Sequence, residues 1–310
     1  MSDPVTPVFV IHGVGIRGVE RYDGLVAKMQ RGLGDKYELI PVYWGDLGAS
    51  NEHLEKLIGQ HPERSDSWRD WFADTRDYVA HVTEDYTKTW LHKGKGDRDI
   101  ARGRYRKGKR RRAPVKQRIK GFAHDRFRGI RMRLTEWCVP YAADVLVYQS
   151  AGHREIIQGR FREIIAEKMG PQAGTKDHPI TVIAHSLGGV IAFDMAVTQD
   201  NPLYYRQLIT LGSQSSFLHV MDPRPGLAPF DGEPVVLPDT IKAWNNIWDD
   251  YDVIAYGVHD IFRLANGRPP KDKHIRCYKN RLQAAMLMRA HLGYWVQPVA
   301  HKAIRIALER

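Results

Sequence analysis

Ser186 lies in the middle of TVIAHSLGGVIAF (Thr181–Phe193), with β-branched and apolar residues leading into it and two glycines following it. An unassisted serine hydroxyl attacks esters poorly at neutral pH. It needs a base to take its proton, a third group to orient that base, and amide donors to hold the oxyanion. A strand that breaks at the serine, with a helix starting at once, presents such a hydroxyl on a sharp turn. Side chains two residues to either side would then collide with neighbouring backbone, so those positions must be small. Here they are Ala184 and Gly188, flanking His185, Ser186 and Leu187. The recognised elbow pattern is G-x-S-x-G; A-x-S-x-G leaves slightly less room at the first position. The alternative is that Ser186 only caps a helix, a role serine suits. A second chemical candidate is PVFVIHGVG (Pro7–Gly15), an apolar run ending in His12, Gly13, Val14 and Gly15. By itself it reads as a glycine turn after a strand.

Both stretches need a framework. The run at Pro7–Gly15 reads as a buried strand. RYDGLVAKMQRGL follows with Tyr22, Leu25, Val26, Met29 and Leu33 at helical spacing and Gly34 as C-cap, and YELIPVYWGD (Tyr37–Asp46) reads as a second strand. Strand, helix, strand at this spacing implies a βαβ unit with parallel strands. The alternation stops for about a hundred residues and resumes near Asp144. REIIQGRFREIIAEKMG predicts a helix with Ile156, Ile157, Phe161, Ile164, Ile165 and Met169 on one stripe. PITVIAH, YRQLITLGS, TIKAWNNIWD and KHIRCYK predict strands, GGVIAFDMAVT a helix, and Val296 to Leu308 a final helix.

The interruption, residues 47–141, carries the chain's charge asymmetry. Leu91 to Arg133 holds 18 Lys or Arg and 3 Asp, a local net of +15, whereas the rest of the chain nets −4. The basicity therefore belongs to one segment, which reads as an attachment for an anionic partner. Trp68, Trp71, Phe72, Tyr78, Val79, Val82, Tyr86 and Trp90 precede the basic run at helical spacing. Val115, Ile119, Phe122, Phe127, Ile130, Leu134 and Trp137 interleave with it, so both halves read as amphipathic helices. The default is that these stripes pack on the core or on each other; the alternative is a lid whose apolar face meets lipid or substrate. Arg110, Arg111 and Arg112, in RKGKRRR, suit anionic headgroups. Nucleic acid fits the charge equally, without a recognisable nucleic-acid motif. Cys138 and Cys277 lie far apart without metal-ligand spacing, so neither a disulfide framework nor a metal is expected, and the chain reads as cytoplasmic with a possible membrane attachment through 91–133. No signal peptide or membrane-spanning run is evident.

AHSLGG resembles the GHSLGG of the lipase-like branch of the α/β-hydrolase superfamily, and VFVIHGVG resembles its strand ending in H-G-x-G. That resemblance implies oxyanion donors at the amides of Val14 and Leu187. It also implies the chain order Ser, then Asp or Glu, then His. After Ser186 come His219, His259, His274, His291 and His301. His291 falls between the last strand and the last helix, and HLGYW (His291–Trp295) is similar to the H-x-x-Y-W around the base in lipase and inositol-deacylase-like families, which makes His291 the expected base and His259 the next choice. AWNNIWDDYDVIA (Ala243–Ala255) is similar to the W-x-N-x-x-D-x-x-D-x-V segment of those families, matching at Trp244, Asn246, Asp249 and Asp252. Asp252 is the expected acid, with Asp249 and Asp250 as alternatives. TLGSQSSF resembles the TLGSP stretch bordering the acyl pocket.

The expectation is an α/β-hydrolase core, 1–46 with 142–310, having a mostly parallel sheet, helices on both faces and a helical basic insert, 47–141, as lid or cap. The implied activity is cofactor-free and metal-free hydrolysis of a carboxylic ester, with a lipid or phospholipid ester favoured by the aromatic, basic insert. The other class is a catalytically silent hydrolase-fold protein that uses the insert to hold a membrane, nucleic acid or protein. Oligomeric state is not legible.

Overall fold

The computed structural model describes residues 5–49, 139, 141–278 and 289–309. Arg110, Arg111, Arg112, the rest of the basic run, both aromatic stripes and Cys138 lie outside the described residues.

Eight strands are formed among the described residues: β1 (Thr6–Ile11), β2 (Tyr37–Val42), β3 (Ile180–His185), β4 (Tyr205–Leu211), β5 (Val235–Val236), β6 (Trp244–Asp249), β7 (Phe262–Arg263) and β8 (Lys271–Ile275). Six make one sheet in the order β2-β1-β3-β4-β6-β8, with every neighbouring pair parallel. β5 and β7 pair separately. Between strands run α1 (Val19–Leu33), α2 (Ala151–Met169), α3 (Leu187–Val197) and α4 (Ser215–Met221), and α5 (Arg289–Gly293) and α6 (Pro298–Leu308) follow β8. This is an α/β fold.

Side chains alternate across a strand, so each buried strand feeds two cores. Val8, Val10, Ile183 and Ile209 join Tyr22, Val26, Met29 and Leu33 of α1 and Ala300, Ala303, Ile304 and Ala307 of α6. Phe9, Ile11, Val182 and Leu208 join Ile157, Phe161 and Ile165 of α2 and the apolar residues of α3 on the other face. Helices thus cover both faces, as expected. α1 ends as the sequence implies, at Gly34 with φ 85°, whose amide bonds to the Gln30 carbonyl.

Three elements depart from expectation. The α2 stripe is narrower: Ile157, Phe161 and Ile165 are buried, while Ile156 is 55% and Met169 42% exposed. With about 3.6 residues per turn, Met169 has drifted roughly 120° around the helix from Ile157. The strand expected at KHIRCYK lies earlier, at Lys271–Ile275. Among the described residues it pairs only with β6, and it buries only Ile275, so an edge strand this polar carries little hydrophobic pattern. The last helix starts at Pro298 rather than Val296, with proline in its first turn, where its missing N–H costs nothing.

The chain lays β2 on one side of β1 and β3 on the other. Strand order therefore reverses between β1 and β3, and in open parallel sheets ligands bind outside the carboxyl ends of the strands at such a point.

Candidate functional site

Ser186 follows the last residue of β3 directly, at that reversal. Its φ is +56° and ψ −127°, a conformation that costs a non-glycine residue on the order of 1–3 kcal/mol. An N-cap serine adopts extended backbone and bonds a helix amide through its side chain. Ser186 does neither; its hydroxyl is buried and has no hydrogen-bond partner among the described residues. The capping alternative therefore fails on geometry. The turn is held by Ser186 N–H donating to the Leu211 carbonyl and Gly189 N–H donating to the Ser186 carbonyl, both at 2.9 Å.

The loop after β1 presses on this turn. A Cβ on Gly13 would lie 2.4 Å from Ser186 Cβ and 2.9 Å from its Oγ, so only glycine brings the backbone this close. A Cβ on Gly188 would lie 2.6 Å from the His12 carbonyl oxygen, which explains the smallness required there. Ala184, the departure from the elbow pattern, is fully buried without disturbing the β1–β3 register (Ile11 opposite Ala184). Leu187 opens α3, where the first amides have no intrahelical acceptor. Val14 is half-buried and packs against the core.

His12 is structural rather than reactive. It stacks on Trp44 with ring centroids 5.0 Å apart, accepts the Trp44 backbone N–H at Nε2, and places Nδ1 2.6 Å from the Gly13 carbonyl. Burial, the largest cause, holds its pKa down to about 3, so the ring is neutral. Gly15 has φ +74°, and its amide donates to Asp144, a residue for which the sequence suggested no role.

His291 lies in α5, buried, with Nδ1 2.8 Å from Asp252 Oδ2. A carboxylate only accepts, so the shared proton resides on Nδ1, and in the neutral ring that leaves the lone pair on Nε2. Nε2 is buried and, like the Ser186 hydroxyl, has no hydrogen-bond partner among the described residues. Gly212 joins the two: its residue follows Leu211, whose carbonyl holds Ser186, and a Cβ on it would lie 2.6 Å from Asp252 Oδ2 and 3.1 Å from His291 Nδ1.

The neighbouring carboxylates are engaged elsewhere. Asp249 accepts the amides of Tyr251 (2.9 Å) and Cys277 (2.6 Å), closing the turn after β6. Asp250 pairs with His274 at 2.8 Å near the surface. Of the other histidines, His259 is exposed, His219 accepts the Arg224 amide, and His301 bonds the Trp295 carbonyl. Asp252 and His291 are the acid and histidine brought together.

Supporting polar contacts fix the loop that carries Asp252. Asn246 donates to the Tyr256 carbonyl and to Asp272, and accepts from Thr210, which in turn accepts the Trp244 indole N–H. Gln214 donates to the carbonyls of Gly212 and Ile254. The ring of His185 places Nε2 2.9 Å from the His291 carbonyl, so it donates there and fixes the backbone that carries the imidazole. Burial first, and then the neighbouring His291, push the His185 pKa well below its ordinary value. Among the described residues no His, Cys, Asp or Glu cluster could hold a metal ion, and no helix is long and apolar enough to cross a membrane.

Chemically, a strained buried hydroxyl, an imidazole oriented by a carboxylate and the opening amides of a helix lie at one carboxyl edge. No family model and no curated protein matches the sequence.

Proposed function

We propose that the chain is a serine hydrolase of the α/β-hydrolase fold that cleaves a carboxylic ester through an acyl-enzyme. The observation that carries this reading is the His291–Asp252 pair at the edge where Ser186 is held at φ +56°, with His291 Nε2 and Ser186 Oγ both buried and without a hydrogen-bond partner among the described residues. Leaving one buried polar group unsatisfied costs about 1–3 kcal/mol; an arrangement retaining two of them beside a strained backbone suits a site that completes its bonds with substrate.

In this reading Ser186 Oγ attacks the ester carbonyl carbon while His291 Nε2 takes its proton. Asp252 holds the Nδ1–H tautomer and stabilises the imidazolium. The amides of Val14 and Leu187 bind the oxyanion, a contribution of about 10²–10³ in rate per donor. His291 then protonates the leaving alcohol, and water, deprotonated by the same nitrogen, releases the acid. A lipid or phospholipid ester is the favoured substrate class, because an anionic lipid surface would engage Arg110, Arg111 and Arg112. A catalytically silent binding protein would have no use for the strain at Ser186.

Reaction with a fluorophosphonate probe, followed by peptide mapping, tests the proposal. Labelling at Ser186, lost in Ser186→Ala together with turnover of p-nitrophenyl butyrate, is the expected result. Equal turnover by wild type and Ser186→Ala would refute it.

A further inference from the structure

We propose that Asp144 is a positioning residue for the loop that carries the oxyanion donor Val14; this rests on the hydrolase reading above. Asp144 is fully buried, on the helical residues 141–149, and its two oxygens gather three donors from two other parts of the chain. Oδ2 accepts the Gly15 amide at 2.8 Å. Oδ1 accepts Arg17 Nη2 at 2.5 Å and the Ala49 amide at 2.9 Å.

The consequence for Val14 is geometric. Gly13 is pressed against Ser186 on one side, where a Cβ would come within 2.4 Å of the serine Cβ. Gly15 is tied to Asp144 on the other. Val14 is the single residue between two fixed points, so the direction of its amide is set before substrate arrives. An oxyanion donor that needs no reorganisation is the kind that lowers a barrier. Gly48 allows the approach from the other end, since a Cβ there would lie 2.7 Å from Asp144 Oδ1.

Arg17 is the second half of the device. A buried carboxylate bonded to the oxyanion loop is costly unless its charge is compensated. The guanidinium supplies that compensation: among the described residues its ion pair is with Asp144, and its Nε and Nη1 find no hydrogen-bond partner there. Asp144→Asn leaves one acceptor oxygen and turns an NH2 toward a donor. It therefore releases at least one of the two amides.

The test compares wild type with Asp144→Asn in three readouts: hydrolysis of p-nitrophenyl butyrate, affinity for phenylboronic acid as a tetrahedral mimic, and amide hydrogen exchange of residues 13–17. Expected are a kcat loss of about 10- to 100-fold, a matching loss of boronate affinity, and KM within about two-fold. Exchange at residues 13–17 should quicken about ten-fold while α3 stays protected. A purely structural role would lower thermal stability and leave the boronate-to-substrate affinity ratio unchanged. If Asp144→Asn does not fold, Arg17→Gln, which keeps both amide bonds and removes the counter-charge, should lower kcat several-fold at constant KM. A folded variant with wild-type boronate affinity and wild-type exchange at residues 13–17 overturns the proposal. A wild type that neither labels at Ser186 nor turns over ester refutes the hydrolase reading instead, and exchange still reports whether Asp144 holds the loop.

Discussion

Gly13→Ala isolates the contact between the two halves of the site. Gly13 has no positive φ, so alanine meets no backbone penalty there; the whole effect comes from where its methyl must go. That methyl would lie 2.4 Å from Ser186 Cβ, 2.9 Å from Oγ and 3.1 Å from the His185 carbonyl oxygen. Carbon atoms in contact sit about 3.5–4.0 Å apart, so the loop or the serine must move by roughly 1.1 Å or more. Both sides are anchored: Ser186 by the Leu211 carbonyl, Gly15 by Asp144. The strain should cost about 1–3 kcal/mol of stability. A displacement near 1 Å at reacting atoms costs about 100-fold in rate, so kcat on p-nitrophenyl butyrate should fall by about that factor. Gly159→Ala in α2 is the control, since a Cβ there meets nothing within 4 Å. It should add up to about 1 kcal/mol of stability and leave activity unchanged. A Gly13→Ala enzyme with wild-type kcat and wild-type melting temperature would refute the account of the loop, and with it the close approach on which the site is built.

His291→Ala should lose about as much ester hydrolysis as Ser186→Ala, and the double variant no more, because the groups act as one unit; additive losses in kcat would contradict this. Ser186→Gly should abolish activity yet gain on the order of 1 kcal/mol in chemical denaturation, since glycine takes φ +56° without strain; equal or lower stability would show that the turn is unstrained. His12 is neutral when folded, with a pKa of about 3, and protonates near 6.5 when unfolded, so the unfolded state binds the extra proton as pH falls. The stability lost from His12 between pH 7.5 and 5 should be about 2 kcal/mol, absent in His12→Asn, and His185 acts in the same direction. Neutralising Arg110, Arg111 and Arg112 should weaken binding to anionic vesicles in a salt-dependent way and spare p-nitrophenyl butyrate turnover; a parallel measurement on duplex DNA separates lipid from nucleic acid.

What could be read from sequence follows the range of the interactions concerned. β1, β3 and α3 are legible because local patterns specify them: an apolar run, a small-residue turn, a helix. β8 was placed too late because an edge strand with Lys271, Lys273 and His274 exposes its side chains and is defined by backbone pairing with β6. Choosing among Asp249, Asp250 and Asp252 requires knowing which faces His291, and three acids in four residues carry no such information. Asp144 was missed because its partner Gly15 is 129 residues away. The available signal was a lone acid in YAADVLVYQ, whose apolar neighbours mark that face of the helix for burial. In the sequence His185 is one of the elbow residues and nothing more, whereas its ring reaches the main chain of a residue 106 positions on.

α3 is buried at every position from Leu187 to Val197, and its one charged residue, Asp194, lies 3.2 Å from the guanidinium of Arg224 and accepts the Tyr148 hydroxyl. A helix with no solvent face cannot fray or rock without opening both the sheet and the helices around it. Its amides should therefore exchange only through the largest unfolding events of the molecule. The serine mounted at its start is then the stationary member of the site. Any adjustment to a substrate of different size falls to the loops that bring up Asp252, His291 and Val14, and substitutions that broaden substrate range should accumulate there, while α3 tolerates almost none.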